Sequence, residues 1–94
     1  MASNISTSLI ISTYNRSDAL EICVKSVLRQ SLLPDEIIIA DDGSKEDTRE
    51  LIHQLAASSE VPIIHVWHED LGFRLASIRN KAIAKASKEY IIQI

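Results

Sequence analysis

Four short apolar runs alternate along the chain with three stretches of helical periodicity. The first run, SLIIS at residues 8–12, is apolar, β-branched and too short for a helix, so it predicts a buried strand. Residues 14–17 (YNRS) break the pattern, and Ser17 is placed to cap a helix whose positive end Asp18 and Glu21 favour. Leu20, Cys23, Val24, Val27 and Leu28 then fall on one helical face, and Pro34 marks the turn beyond it. Residues 36–40 (EIIIA) predict a second buried strand, ended by Asp41-Asp42-Gly43-Ser44. Ser44 is expected to cap a second helix, with Asp47 three residues later in a capping-box arrangement. Leu51, Ile52, Leu55 and Ala56 give that helix its apolar face. Pro62 opens a third strand over residues 63–67. A loop over residues 68–73 leads to a third helix with Leu75, Ile78, Ala82, Ile83 and Ala86 on one face. Residues 90–94 (YIIQI) predict a fourth strand.

The order is therefore β-α-β-α-β-α-β. Three consecutive strand–helix–strand units imply a parallel sheet with right-handed crossovers. Strands that are continuously apolar, without alternation, fit a sheet covered by helices on both faces. In such α/β sheets ligands bind beyond the carboxyl ends of the strands, where the strand order reverses. Those ends are Thr13-Tyr14-Asn15, the Asp41-Asp42-Gly43-Ser44 turn, the loop over 68–73, and whatever follows Ile94.

Composition narrows the class. Ninety-four residues make one small domain, and 46% hydrophobic residues exclude a disordered chain. A net charge of −3 with no basic stripe argues against a general nucleic-acid partner. The single cysteine, Cys23, excludes an internal disulfide framework and a multi-cysteine zinc site, and its place in an apolar pattern assigns it to the core. Apolar runs of four or five residues are too short to span a membrane, and residues 1–4 carry no signal-peptide pattern, so the cytoplasm is the expected compartment.

Several residues could carry chemistry. Asp41 and Asp42 can accept hydrogen bonds from a base or ribose or help hold a cation; equally, Asp-Gly is a turn signal. Gly43 permits a positive φ or a close backbone approach. Arg79 lies on the otherwise apolar face of the third helix, where it either clamps an anion or extends its guanidinium to water. Arg74 adds a second cation near the start of that helix, whose N-terminus is itself positive. His65 and His68 lie three residues apart in and just after a strand, so they point to opposite faces and do not form a metal site. His53 reads as a solvated helix residue, and Trp67 and Phe73 as closing the edge of the core. A G-x-G-x-x-G fingerprint and a phosphate-binding G-x-x-x-x-G-K-[ST] loop are both absent. A phosphorylation-receiver domain fails too, because Tyr14-Asn15 and His68 stand where its aspartates belong.

Four strings in order, SLIISTYNR, VLRQS, EIIIADDGS and EDLGFRLASIRNKAI, resemble the start of family 2 glycosyltransferases of the GT-A fold. The resemblance runs from about residue 8 to residue 94 and is closest to bacterial members that build polysaccharides, including chondroitin-polymerase-like domains. It implies a three-layer, Rossmann-like half-domain of four mostly parallel strands that binds a nucleotide-sugar, with UDP as the expected nucleotide. Carried over by position, Ser12 and Tyr14 would lie against the nucleobase or ribose. Asp42 would hydrogen-bond the uracil, Asp41 would support its turn, and Arg79, with Arg74 as a neighbour, would face the nucleotide or its phosphates. In the family, a strand like YIIQI leads into a D-x-D motif that holds a divalent cation, Mg2+ or Mn2+, and this is expected beyond Ile94, with no metal ligand and no catalytic base within these 94 residues. The implied partners are a nucleotide-sugar donor and, for a full-length enzyme, a saccharide acceptor, with the full-length enzyme able to work at the inner face of the membrane. The 94 residues alone are expected to be inactive and to self-associate through Ile91, Ile92 and Ile94. The competing reading is a non-catalytic, self-associating α/β interaction module.

Overall fold

The computed structural model describes residues 6–69 and 75–94; the side chain of Leu75 is not described. Seven elements follow in the expected order: β1 (Thr7–Thr13), α1 (Ser17–Leu28), β2 (Glu36–Asp41), α2 (Glu46–Ser58), β3 (Ile63–Trp67), α3 (Leu75–Lys85) and β4 (Tyr90–Gln93). The strands form one sheet in the order β3-β2-β1-β4, and every pairing is parallel. After β1 the chain steps to β2 and β3 on one side, then returns past β1 to place β4 on the other. Right-handed crossovers in opposite directions must use opposite faces of the sheet, and they do.

Strand alternation divides the core accordingly. Leu9, Ile11, Ile37 and Ile39 pack under α1 and α2 with Leu20, Val24, Val27, Ile52 and Leu55. Ile10, Ile38, Ala40 and Val66 pack under α3 with Ile78 and Ala82. The helical faces expected from the sequence supply these contacts, with Cys23, Leu28 and Leu51 at the margin of the first layer. Ile83, 37% exposed, and Ala56 stand outside these two clusters, and the Leu75 side chain lies outside the described residues.

The two helix caps read from the sequence are corrected. α1 begins at Ser17 itself, with Arg16 in the cap position and no side-chain cap bond. Its first turn relies instead on Asp18, whose carboxyl is held below its ordinary range by the Ala19 N–H and by Arg16. α2 begins at Glu46 with Lys45 in the cap position, again without a side-chain cap bond. The Ser44 hydroxyl is unavailable to that helix because it accepts the Asn15 N–H at 2.7 Å.

At the amino end of the sheet a buried carboxylate ties the layers together. Glu36 opens β2 and is 4% exposed. It accepts the Ser8 hydroxyl (2.6 Å), the Ser87 N–H (2.9 Å) and the Ser87 hydroxyl (3.0 Å). The Ser8 hydroxyl in turn accepts the Lys88 N–H at 3.3 Å, so β1, β2 and the α3–β4 connection are joined at one point. Burial alone pushes the Glu36 carboxyl up, but the Ser8 and Ser87 donors and the Lys88 charge outweigh it and leave the pKa below its ordinary value.

A depressed pKa in the folded state means the folded chain holds this proton more weakly than the unfolded chain. The stabilisation is therefore complete above the unfolded glutamate value of about 4.3 and is lost as pH falls through the folded value. Glu36→Gln is expected to cost about 1–3 kcal/mol at neutral pH, as a buried cluster loses its charged acceptor. Urea unfolding of both proteins from pH 7 down to pH 3 checks this: the gap between their midpoints should shrink on acidification, and equal midpoints at pH 7 would remove Glu36 from this role.

Candidate functional site

The carboxyl ends of β1 and β2 lie side by side, with Thr13 in register with Asp41. The turn after β2 carries Gly43 at φ 89°, a conformation that favours glycine. The turn after β1 carries Asn15 at φ 49°, in the left-handed region that asparagine tolerates better than most residues. Asn15 locks the two turns together: its N–H donates to the Ser44 hydroxyl at 2.7 Å and its side-chain Oδ1 accepts the Lys45 N–H at 3.0 Å. The Asp42 N–H adds a third tie, to the Thr13 carbonyl at 3.0 Å.

Asp41 and Asp42 are both buried. As neighbours at a strand end they turn to opposite faces, and each meets its own histidine. On the α2 face, Asp41 Oδ1 accepts the Ser44 N–H at 2.9 Å, and Oδ2 lies 2.8 Å from His65 Nε2. Asp41 thus holds the turn, and Trp67 lies on the same face, its indole N–H donating to the Ser44 carbonyl at 3.1 Å. Trp67 is 47% exposed. It covers the turn and does not close the edge of the core, which corrects the sequence reading. On the α3 face, His68 Nε2 lies 2.5 Å from Asp42 Oδ1, and Lys81 Nζ lies 3.1 Å from His68 Nδ1. An ammonium only donates, so His68 Nδ1 accepts from Lys81, and the ring proton sits on Nε2, pointing at Asp42.

The strand order reverses between β1 and β4. Here Arg79 of α3 donates from Nε to the Ser12 hydroxyl at 3.3 Å, so two of the expected site residues meet. Tyr14 is exposed and lines, with Ser12, Arg16 and Ile94, a depression of about 350 Å³ at the ends of β1 and β4. Arg74 and Phe73, with most of the loop expected over 68–73, lie outside the described residues. Sequence reasoning missed Asn15, His65, His68 and Lys81 as parts of this site. Alternation along β2 and β3 could have found the histidines, because the rule that separates His65 from His68 also separates Asp41 from Asp42.

The described residues do not assemble a metal centre. Both aspartates are engaged by histidines on opposite faces, and among the described residues no group of three or more histidine, cysteine or acidic side chains could hold a metal ion. Among the described residues no helix is long and apolar enough to cross a membrane.

A parallel sheet of this order, with Thr13, Asp41, Asp42, Ser44 and His68 buried at the carboxyl ends of its strands, is a Rossmann-like α/β arrangement consistent with the GT-A fold. Residues 8–94 match Glycosyl transferase family 2, and the chain belongs to that family. It is 35% identical over 85 residues to a chondroitin synthase of Escherichia coli, covering 89% of this chain and 12% of the synthase. It is 37% identical over 82 residues to a validoxylamine A glucosyltransferase of Streptomyces hygroscopicus subsp. limoneus, covering 85% of this chain and 18% of that enzyme. A hyaluronan synthase of Pasteurella multocida is 32% identical over 89 residues, which is 94% of this chain and 9% of the synthase. The chain thus spans less than a fifth of the length of each of these relatives.

The lock between the two turns makes a prediction. Asn15→Ala puts a Cβ-bearing residue without a polar tip in the left-handed region and removes the acceptor for Lys45, at an expected cost of about 1–3 kcal/mol. Asn15→Gly keeps the conformation and loses only the acceptor, so it should cost less. Chemical denaturation of the three proteins checks the order, and an Asn15→Ala variant as stable as the parent would contradict it.

Proposed function

We propose that this chain is the nucleotide-recognising part of a glycosyltransferase, binding a nucleoside diphosphate sugar, with UDP as the nucleotide. The observation that carries the reading is the Arg79–Ser12 contact at the reversal of strand order, where α/β sheets take their ligands. In this assignment Ser12 and Tyr14 lie against the base or ribose, and Asp42 accepts the N–H of the uracil. Asp41 keeps the turn in place, and Arg79 offsets the negative charge of the diphosphate, with Arg74 as its neighbour. Asp42 is 2% exposed, so a base reaches it only with local rearrangement around the carboxylate.

In a complete enzyme, the acceptor hydroxyl oxygen attacks the anomeric carbon of the donor sugar. The bond from that carbon to the diphosphate oxygen breaks, and the hydroxyl proton passes to a carboxylate base. A divalent cation supplies charge stabilisation to the departing diphosphate when bound, and the described residues of this chain are not built to hold it. We assign the base and the cation to other parts of such an enzyme, and these 94 residues alone to binding without transfer. The donor sugar and the saccharide acceptor belong to the whole enzyme, as does any work at the inner face of a membrane.

An NMR titration of the chain with UDP, with and without Mg2+, tests the reading. Amide shifts at Tyr14, Asp42 and Arg79 that do not require the metal are expected. Arg79→Ala should weaken binding about tenfold, the worth of one charge-assisted hydrogen bond. A folded chain whose spectrum UDP leaves unchanged would overturn it.

A second reading, a self-associating interaction module, is favoured by one observation. Ile91, Ile92 and Ile94 are 41%, 49% and 57% exposed. Ile92 and Ile94 border an apolar groove of about 790 Å³ with Leu9, Val27 and Leu32, on the side of β4 that α1 leaves open. We propose that this surface is covered by the rest of the domain in a full-length enzyme and by a second copy in the isolated chain. Light scattering should show mass rising with concentration and falling back in Ile92→Lys. A clean monomer throughout would remove the surface from this role.

A further inference from the structure

Asp42, His68 and Lys81 form a hydrogen-bonded chain running from a buried carboxylate to the surface, and the assignment above uses only Asp42. His68 is 6% exposed and stands between the carboxylate and the ammonium, bonded to both. A histidine ring can donate from either nitrogen, and here the Lys81 ammonium and the Asp42 carboxylate together decide which one. With Nδ1 occupied as acceptor, the Nε2 proton is committed to Asp42 Oδ1. That bond fixes the plane of the carboxylate, a group with several acceptor sites on its two oxygens.

We propose that His68 is a positioning residue that sets base selectivity, aiming Asp42 at a pyrimidine that presents an N3–H. The proposal rests on the nucleotide-binding reading and deepens it. Uracil offers a donor at N3, and a fixed carboxylate accepts it. Cytosine offers an acceptor at the same position, and two acceptors facing one another repel. Loosening His68 therefore costs uracil recognition more than it costs the diphosphate contacts, which both nucleotides share. The readout is the ratio of UDP to CDP affinity, which general damage to the sheet would not alter selectively.

The test measures UDP and CDP binding by titration calorimetry for the parent chain, His68→Phe, His68→Gln and Lys81→Met. The ring tautomer of His68 is read by long-range 1H–15N NMR. The parent should favour UDP and show a bare Nδ1. His68→Phe should weaken UDP binding about tenfold or more and bring the ratio close to one. The Gln amide can donate towards Asp42 and accept from Lys81, so His68→Gln should recover most of the preference. Lys81 is on the exposed side of α3, so Lys81→Met keeps the fold testable if His68→Phe does not fold; it unblocks Nδ1 to take up a proton while Nε2 still donates to Asp42, and with the ring held from one side only the ratio should fall, by less than in His68→Phe. Failure of the parent to bind UDP overturns the nucleotide reading and the selectivity role with it, before any variant is compared. UDP binding by the parent with an unchanged ratio in folded His68→Phe or Lys81→Met, or a parent ring protonated on Nδ1 alone, overturns the positioning role and leaves the nucleotide reading standing.

Discussion

Strand β2 has no face towards water. All six of its residues are buried, so every group it carries must be satisfied inside the protein. Four of the six are apolar and meet that condition by packing on α1 and α2 or on α3. The other two, Glu36 and Asp41, stand at its two ends, and each needs dedicated donors. At the amino end these come from Ser8 and Ser87; at the carboxyl end they come from Ser44 and His65. The charged ends of one inaccessible strand thus dictate what its neighbours must supply. The amino end becomes a structural tie, and the carboxyl end becomes the polar cluster beside the reversal of strand order.

The fold was legible because its signal is local. Strands β1 to β4 and the faces of α1, α2 and α3 follow from apolar spacing, which depends only on nearby residues. The α2 cap differs because the Ser44 hydroxyl is taken by Asn15, 29 residues away, and no local rule sees that partner. Asp41, Asp42, Ser12 and Arg79 were recognisable as candidates, yet their partners were not. Alternation was applied to His65 and His68 and not to the adjacent aspartates, although the same two-residue period sends Asp41 to the α2 face and Asp42 to the α3 face. Trp67 reads from the sequence as closing the edge of the core. Its indole N–H instead finds the Ser44 carbonyl, and the ring stays half in water.

Kinship and geometry bear on different parts of this protein. The matched segment spans most of this chain and a small share of each relative. Family membership therefore speaks to the sheet and its strand ends, and the cluster around Asp42 is described by its own contacts. The asymmetry between the aspartates is one such detail. Asp41 has both oxygens committed to the turn and to His65, while Asp42 is tied to α3 through His68 and Lys81. Two identical side chains in sequence order thus belong to different layers of the protein.

The lacing of Asn15 to Ser44 and Lys45 has a consequence for how these turns behave. Each turn follows a different strand, and separately each would sample its own set of conformations. Joined by a backbone donor in one direction and a side-chain acceptor in the other, they share one set. The conformational entropy that two independent loops would surrender on meeting a ligand has already been surrendered when the chain folds. A molecule resting on this end of the sheet meets a preorganised floor, and its affinity is correspondingly less diluted by the ordering of the protein beneath it.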